Sequence, residues 1–208
     1  AGALFHGVLT AKEAIPGLVR AVQAADGHVN AGIFGTMWLL EALSRHGRSD
    51  LAVQIATQRT YPGWGHMLAN GATSLWETWK ESDDTFSNNH PMFGSVAGWL
   101  MRWLVGIQVP DNCHAGDHVV IRPQTMTSIT NAAGQWRSRR GVVGTRWVRK
   151  GRQLMLNVVI PASMSADVFI PAGPGALTFE SGKSLTGHPD VRVTTVTDRA
   201  DIGEGDLQ

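Results

Sequence analysis

The sequence has few of the features that would point to a disulfide-bonded, metal-binding or membrane protein. Its 208 residues include a single cysteine, Cys113, which excludes an internal disulfide framework and a cysteine-rich metal site. No apolar run approaches the length of a membrane span. The sequence therefore predicts no metal, no cofactor and no membrane partner.

The chain also lacks a strong charge of either sign. Its formal net charge is +1. The densest clusters of basic residues, Ser138–Arg140 and Arg149–Arg152, lie in segments whose pattern predicts β-structure. This pattern favours an ordinary solvent-exposed surface over a surface that binds nucleic acid. An initiator methionine and a signal peptide are absent from the beginning of the sequence. We therefore expect a piece of a longer protein, and the compartment, cytoplasmic or secreted, stays open.

One stretch, Tyr61–Trp79, combines three tryptophans with one carboxylate, Glu77. Carbohydrate-processing sites need such a mixture, because flat aromatic faces cover the apolar face of a sugar ring while a carboxylate handles protons. For Trp76 and Trp79 the favoured alternative is that they are core residues, and for Glu77 the alternative is an ordinary charge in the first turn of a helix. The turn-prone run before Glu77 predicts that this residue lies at a loop-to-helix junction, where the helix dipole favours a carboxylate.

The first half of the sequence has the apolar spacing of helices. A glycine-rich loop, His28–Gly35, follows the second of them, and a long loop, Gln58–Ser74, precedes a helix that resumes near Leu75. Such a long loop is uncommon in a compact domain unless it has a function. The predicted helices cover a first segment to about Thr10, a second from Ala14 or Pro16 to Ala25, Thr36–Arg45, Leu51–Thr57 and Met92–Val105.

The second half consists of short β-branched runs separated by turn signals, which predicts an antiparallel β-sandwich. The change of pattern predicts two domains, residues 1–112 and 113–208. The predicted strands are His118–Arg122, Gly134–Ser138, Gly141–Val148, Leu154–Ile160, Ala166–Ile170 and Val191–Val196.

Four motifs in the helical half resemble the bacterial α-L-rhamnosidases of glycoside hydrolase family 78 in order and spacing. They are AGIFGT from Ala31, YPGW from Tyr61, NGATSLWETW from Asn70 and NHPMFGSV from Asn89. Short segments similar to those of the family's C-terminal sandwich follow at Ile121–Pro123, Gly134–Ser138 and Leu156–Pro161.

This resemblance implies the last part of an (α/α)6 six-hairpin barrel followed by a β-sandwich. It also implies inverting hydrolysis of terminal α-L-rhamnosyl groups, in which two carboxyl groups stand roughly 6.5–9.5 Å apart to admit a water molecule. Glu77 matches the family's general base, and His90 matches a histidine that hydrogen-bonds the sugar. Trp64 is a candidate for stacking on the sugar, and its alternative is plain core packing. His66 and Asn70 are candidate subsite residues.

Two features depart from the family pattern. The segment between Trp79 and His90 is shorter than expected, which makes the match of His90 weaker than that of Glu77. No residues match the cluster that holds the family's general acid, and Asp83 and Asp84 are too close to Glu77 along the chain to replace it. The expected partners are therefore a rhamnose-containing glycoside and the missing N-terminal part of the same enzyme. Glu41, on a helix beside leucines, is expected to form a structural salt bridge.

Other interpretations remain open at this point. A related barrel glycosidase could act on a different sugar, because the contacts that select rhamnose would lie mostly upstream. A non-catalytic carbohydrate-binding or interaction module could have kept the tryptophan-rich loop, and it would bind sugar irrespective of Glu77. A truncated product would expose apolar helices and aggregate or pair with another chain.

Overall fold

The protein consists of a helical half followed by a β half. A computed structural model describes residues 1–81, 86–110, 113, 116–126, 128–171, 176 and 178–185. None of the helices in this described part is long and apolar enough to cross a membrane. The helices are α1 (Gly2–Phe5), α2 (Ala11–Ala24), α3 (Ile33–Arg45), α4 (Ser49–Ala56), α5 (Trp64–Ala69) and α6 (Ser95–Trp99).

Helix α2 begins earlier than the sequence predicts. The carboxylate of Glu13 accepts hydrogen bonds from the backbone N–H of Thr10 (2.9 Å) and from its hydroxyl (2.6 Å). This contact satisfies an N-terminal donor of the helix, and it lowers the pKa of Glu13. The predicted start at Ala14 or Pro16 is wrong, since the helix begins at Ala11 and contains Pro16 in its interior.

The predicted helix after Leu75 is also wrong, and a helix occurs instead within the predicted loop. Residues 75–81 adopt an irregular backbone of bends, while Trp64–Ala69 forms α5. The apolar spacing of Leu75, Trp76 and Trp79 reflects side chains that reach the core from this irregular segment. The loop-to-helix position predicted for Glu77 is therefore corrected to a position within a loop.

The predicted helix Met92–Val105 is confirmed as one helical segment with three successive geometries. A 3-10 turn (Met92–Gly94), α6 and a π-helical turn (Leu100–Val105) follow one another without a break. We call this stretch the last helical segment. It packs against α3 through two buried tryptophans, Trp99 and Trp103.

Two indole groups of the last helical segment donate hydrogen bonds to polar groups on α3. Trp99 Nε1 donates to Ser44 Oγ (2.8 Å), and Trp103 Nε1 donates to Glu41 Oε2 (2.9 Å). Arg102 Nη1 lies 3.3 Å from the same oxygen of Glu41. The predicted structural salt bridge of Glu41 is thus confirmed. Because Glu41 is buried, these partners offset the cost of removing its carboxylate from water.

The β half contains two three-stranded sheets and a hairpin. The first sheet has the order β1–β2–β6, with β1–β2 antiparallel and β2–β6 parallel, and the second is the antiparallel meander β3–β4–β5. The strands are β1 (Ile107–Gln108), β2 (His118–Ile121), β3 (Asn131–Ser138), β4 (Gly141–Lys150), β5 (Gln153–Val159), β6 (Ser165–Val168), β7 (Phe179–Glu180) and β8 (Lys183–Ser184).

A second hydrophobic core lies between the sheets. Its fully buried members come from β1, β2 and β4, and Val105 of the last helical segment joins them. Two side chains of β4 also bind the carbonyl groups at the end of that segment. Trp147 Nε1 donates to the carbonyl of Leu104 (2.7 Å), and Thr145 Oγ1 donates to that of Val105 (2.6 Å). Carbonyls at a helix C-terminus have no partner within the helix, so β4 satisfies them.

The predicted strands from His118 to Ile170 are all present, with ends that differ by a few residues. The strand predicted at Val191–Val196 lies outside the described residues. The predicted domain boundary at residue 112 stays a prediction, because residues 111 and 112 are also outside this range. Among the described residues, the last helical segment and β1 are separated by one residue, Gly106.

A surface ion pair at the start of α4 gives the fold a small pH dependence. Arg48 lies 2.9 Å from Asp50, and this hydrogen bond is the main cause that holds the pKa of Asp50 below its ordinary value of 3.8. Because the pKa of Asp50 is lower in the folded than in the unfolded protein, its carboxylate stabilises the fold at pH values above the unfolded pKa. This contribution is lost as the pH falls through the folded pKa.

Replacing Asp50 with asparagine should therefore lower the free energy of unfolding slightly at pH 7, by less than about 1 kcal/mol because the pair is exposed. The difference should vanish once the pH lies below the folded pKa of Asp50. Urea unfolding at several pH values measures it, with Arg48→Gln and the double variant completing a cycle. A difference between Asp50→Asn and the native protein that grows at acidic pH would contradict this assignment.

Candidate active site

Residues 74–77, which include Glu77, pair with residues 87–90, which precede the last helical segment. The backbone N–H of Glu77 donates to the carbonyl of Ser87 (2.9 Å), and the N–H of His90 donates to the carbonyl of Leu75 (2.7 Å). Ser74 Oγ adds a bond to the carbonyl of Asn88 (2.5 Å). Residues 74–77 and 87–90 therefore run side by side, which brings together two candidate site residues that are distant in sequence.

The carboxylate of Glu77 is fixed by one of its two oxygens. Oε2 accepts the backbone N–H of Ser87 at 2.9 Å, and within the described residues Oε1 accepts no hydrogen bond. The side chain is half-buried. An oriented carboxylate with one free oxygen is able to accept a proton from a water molecule or a hydroxyl group.

Three tryptophans anchor this segment to the helical core. Trp76 and Trp79 are 4% and 8% exposed, which agrees with the core role predicted for them. Trp79 Nε1 donates to the carbonyl of Ala31 (2.7 Å), and its ring lies 3.8 Å from that of Phe93. Trp64 packs edge-on against Trp79 at 5.0 Å. Glu77 thus lies between two tryptophans that cannot move without disturbing the core.

His90 is positioned by its own backbone neighbours. Its Nδ1 accepts the backbone N–H of Met92 at 3.3 Å. In the neutral ring the proton is then on Nε2, which is able to donate to a sugar hydroxyl. The ring is half-buried. The geometry is compatible with the predicted sugar contact, which stays a prediction.

His66 lies on α5, and Asn70, one turn further along, is the residue that follows the helix; the two contact each other. The side-chain amide of Asn70 donates to the carbonyl of His66 (2.8 Å) and lies 3.2 Å from its Nδ1. The imidazole meets the rings of Tyr61 and Trp76 edge-on, at 5.3 Å and 6.3 Å. Nε2 of His66 is left as a donor, and the two candidate subsite residues form one cluster with the tryptophan that precedes Glu77.

Trp64 is both a core residue and the wall of a cleft. It is 8% exposed, and its Nε1 donates to the carbonyl of Phe93 (3.2 Å). A cleft of about 260 Å³ lies between α5 and the segment that leads to Glu77. Its lining is mainly apolar, with two hydroxyl groups, and consists of Trp64, Met67, Leu68, Ala72, Thr73, Ser74 and Leu75.

Glu77 differs from most carboxylates of the described part of the chain by being shielded from water. Glu41 and Glu77 are the two that are not exposed, and Glu41 is already bound by Arg102 and Trp103. The described residues therefore include no second shielded carboxylate without protein partners. Asp83 and Asp84 lie outside them.

One residue that builds this site, Ser87, could not be identified from the sequence. Ser87, which holds both the backbone and the carboxylate of Glu77, gives no signal in the sequence, because its role depends on the pairing of two loops. Away from this site, His114 and His118 are four residues apart in the sequence, a spacing that two metal ligands on a helix can have. His114 lies outside the described residues, and both ring nitrogens of His118 face protein groups, Ser165 at 2.8 Å and Asp167 at 3.3 Å. The described residues contain no cluster suited to a metal ion.

Comparison with protein-family models identifies both halves. Residues 3–104 match the bacterial alpha-L-rhamnosidase 6 hairpin glycosidase domain, which defines the helical half as part of a six-hairpin glycosidase. Residues 106–184 match the bacterial alpha-L-rhamnosidase C-terminal domain. The chain belongs to the bacterial α-L-rhamnosidase family. The predicted fold class, a partial six-hairpin barrel followed by a β-sandwich, is confirmed.

Individual relatives agree with this assignment. An alpha-L-rhamnosidase of Streptomyces avermitilis is 35% identical over 77% of this chain, which spans 16% of that protein. The crystal structure of the Streptomyces avermitilis enzyme complexed with L-rhamnose aligns with a TM-score of 0.70 at 32% identity, over 80% of this chain and 18% of that one. The alpha-L-rhamnosidase of Dictyoglumus thermophilum has the same fold, with a TM-score of 0.82 at 24% identity, over 90% of this chain and 22% of that one. The chain thus corresponds to a small C-terminal share of such enzymes.

Proposed function

We propose that this chain supplies the general-base side of an active site that hydrolyses terminal, non-reducing α-L-rhamnosyl groups with inversion, and that Glu77 is the base. The observation that carries the proposal is the carboxylate of Glu77, which is half-buried, oriented by Ser87 through one oxygen and without a hydrogen bond from the described residues at the other. The names of the relatives support the sugar, since each is called an alpha-L-rhamnosidase.

In this mechanism Glu77 removes a proton from a water molecule. The water oxygen attacks the anomeric carbon as the bond to the leaving oxygen breaks, and a separate acid protonates that oxygen. Attack from the opposite face converts the α-linked sugar into β-L-rhamnose. We assign the acid to a part of the enzyme that this chain does not contain, because the described residues include no second shielded carboxylate without protein partners.

The neighbouring side chains are suited to hold the sugar. We propose that Nε2 of His90 and Nε2 of His66 donate to rhamnose hydroxyl groups, and that the amide of Asn70 keeps His66 in place. Trp64 would contribute through the face that lines the cleft. Trp76 and Trp79 act indirectly, because they fix the segment that carries Glu77.

The test is hydrolysis of p-nitrophenyl α-L-rhamnoside by this chain alone and after addition of the remaining part of a six-hairpin domain. We expect a folded chain without turnover, and turnover in the mixture. The anomer released first, observed by proton NMR before mutarotation, should be β-L-rhamnose. Early release of the α-anomer would exclude inversion. A folded mixture that does not act on the rhamnoside would overturn the proposed function and favour a binding module or another sugar.

A further inference from the structure

The charged residues of the β half are segregated along the sequence. Residues 118–166 contain eight lysines and arginines and no aspartate or glutamate. The whole chain has 18 basic and 17 acidic residues, so its small net charge combines one strongly basic segment with an acidic remainder. Because charges of one sign add over a surface, such a segment attracts anions.

Six of these basic residues lie along the outward side of the meander β3–β4–β5 and at its two turns. Residues that pair directly across strands point to the same side of a sheet, as do residues two apart along a strand. Arg137 pairs with Val142 of β4. Arg146 and Lys150 follow Val142 at even spacing, so they share its side. The other three residues occupy the turns at the two ends of β4. We call these six exposed residues the basic face: Arg137, Arg139, Arg140, Arg146, Lys150 and Arg152.

The inward side of the same strands packs into the second hydrophobic core. Val143 and Trp136 belong to this side and to that core. Arg149, also on the inward side, donates through Nη2 to the carbonyl of Met126 (2.6 Å). The basic face differs, because none of its residues forms an ion pair with a residue that the structure describes. Its positive charges are therefore exposed and lack a carboxylate partner within that part of the chain.

The basic face is long, and it is rich in arginine. Strand β4 has ten residues, which at about 3.3 Å per residue extend over about 30 Å. Five of the six residues are arginines, whose planar guanidinium binds a carboxylate through two parallel hydrogen bonds. The amides of Gln135 and Asn157 lie on the same side as Arg146 and are able to bond hydroxyl groups. This combination suits a polymer that carries carboxylates and hydroxyl groups rather than one small anion.

The residues of the meander distinguish between the two common classes of polyanion, acidic polysaccharides and nucleic acids. Proteins that bind single-stranded nucleic acids use exposed aromatic side chains, on which the bases stack. Residues 131–159, all of which the structure describes, carry no aromatic residue on the outward side, because Trp136 and Trp147 point inward. The helical half matches a glycosidase domain. Both observations favour an acidic polysaccharide.

We propose that the basic face binds an acidic polysaccharide whose uronic-acid carboxylates pair with its arginines. The β half thereby holds the polymer while terminal rhamnosyl groups of the same polymer are cleaved at the site that contains Glu77. The presence of rhamnose in this polymer rests on the proposed function. The binding of uronic-acid carboxylates does not require catalysis.

The experiment measures the binding of polygalacturonate to this chain by isothermal titration calorimetry. The intact chain should bind this polymer at low ionic strength and should not bind its fully methyl-esterified form, which has the same backbone without the charges. Addition of NaCl should weaken the binding, because salt screens exposed charges. The triple variant Arg137→Gln/Arg146→Gln/Lys150→Gln should lower the affinity by about tenfold or more and keep its circular dichroism spectrum, because the three side chains are exposed. Arg139→Gln/Arg140→Gln, in a turn, should also weaken the binding.

A matched control removes two arginines and one lysine from exposed positions of the helical half. The variant Lys12→Gln/Arg20→Gln/Arg59→Gln has the same net charge as the first triple variant and should bind as the intact chain does. The proposal is overturned if polygalacturonate does not bind, if the esterified polymer binds equally well, or if both triple variants lose the same affinity. Tighter binding of a DNA duplex than of polygalacturonate would also overturn it, in favour of nucleic acid. Binding through the basic face by a protein that does not cleave rhamnosides in the assembled mixture would contradict the proposed function alone.

Discussion

Replacing Glu77 with glutamine is expected to lower kcat for an α-L-rhamnoside by about 10²–10⁴-fold in the assembled enzyme, with little change in KM. The amide oxygen of glutamine is still able to accept the N–H of Ser87, so the loop keeps its conformation. An amide cannot accept a proton from water at neutral pH. The loss should therefore appear in the chemical step rather than in sugar binding.

Two further variants test the role of Glu77. Glu81→Gln removes an exposed carboxylate four residues away and should leave kcat unchanged. Glu77→Ala creates a space in which added formate is able to act as the base, so formate should restore part of the activity to this variant and not to Glu77→Gln. A Glu77→Gln enzyme with native kcat would remove Glu77 from the mechanism.

Replacing Trp147 with alanine is expected to lower the free energy of unfolding by about 3–5 kcal/mol, because the indole is fully buried and a cavity would remain. The variant Trp147→Phe tests the hydrogen bond of the indole more specifically. It keeps most of the packing but leaves the carbonyl of Leu104 without its donor, which should cost about 1–3 kcal/mol. Both values come from urea unfolding monitored by circular dichroism.

Trp136 on the neighbouring strand provides the control. Its indole N–H has no hydrogen-bond partner within the described residues, and its side chain is half-buried. Trp136→Phe should therefore cost less than Trp147→Phe. Equal losses for the two variants would mean that packing alone, and not the bond to Leu104, makes Trp147 important.

The sequence predicts well those features that depend on local pattern. The apolar spacing of residues 92–105 predicts a helix, and one forms. Glu41 is predicted to form an ion pair because a carboxylate among leucines requires a partner, and Arg102 and Trp103 provide it. The core role predicted for Trp76 and Trp79 agrees with their burial, since large aromatic residues are rarely left in water.

The errors occur where distant parts of the chain decide the structure. Residues 75–81 have helical spacing, but the backbone groups of Leu75 and Glu77 pair with those of His90 and Ser87 instead. Conversely, the glycines around Trp64 predict a loop, although the chain forms a short helix there. Tertiary contacts override local preference in both places.

The candidate site shows the same limit. Glu77 could be identified from the resemblance of its motif, and this assignment stays a prediction. The arrangement around it could not be predicted, because Ser87, Ala31 and Phe93 act through a backbone atom or a ring face. The parallel pairing of β2 with β6 is likewise a choice between distant segments, for which neither strand carries a signal of its own.

The last helical segment belongs to both hydrophobic cores, and this restricts how such enzymes are able to diversify. Trp99, Trp103 and Leu104 pack in the helical core, while Val105, with Met101 beside it, packs between the sheets. A substitution in these few turns changes the fit of both halves at once. The helical half and its β-sandwich should therefore be inherited as a pair, and exchange of either one with an unrelated module would require this segment to be redesigned.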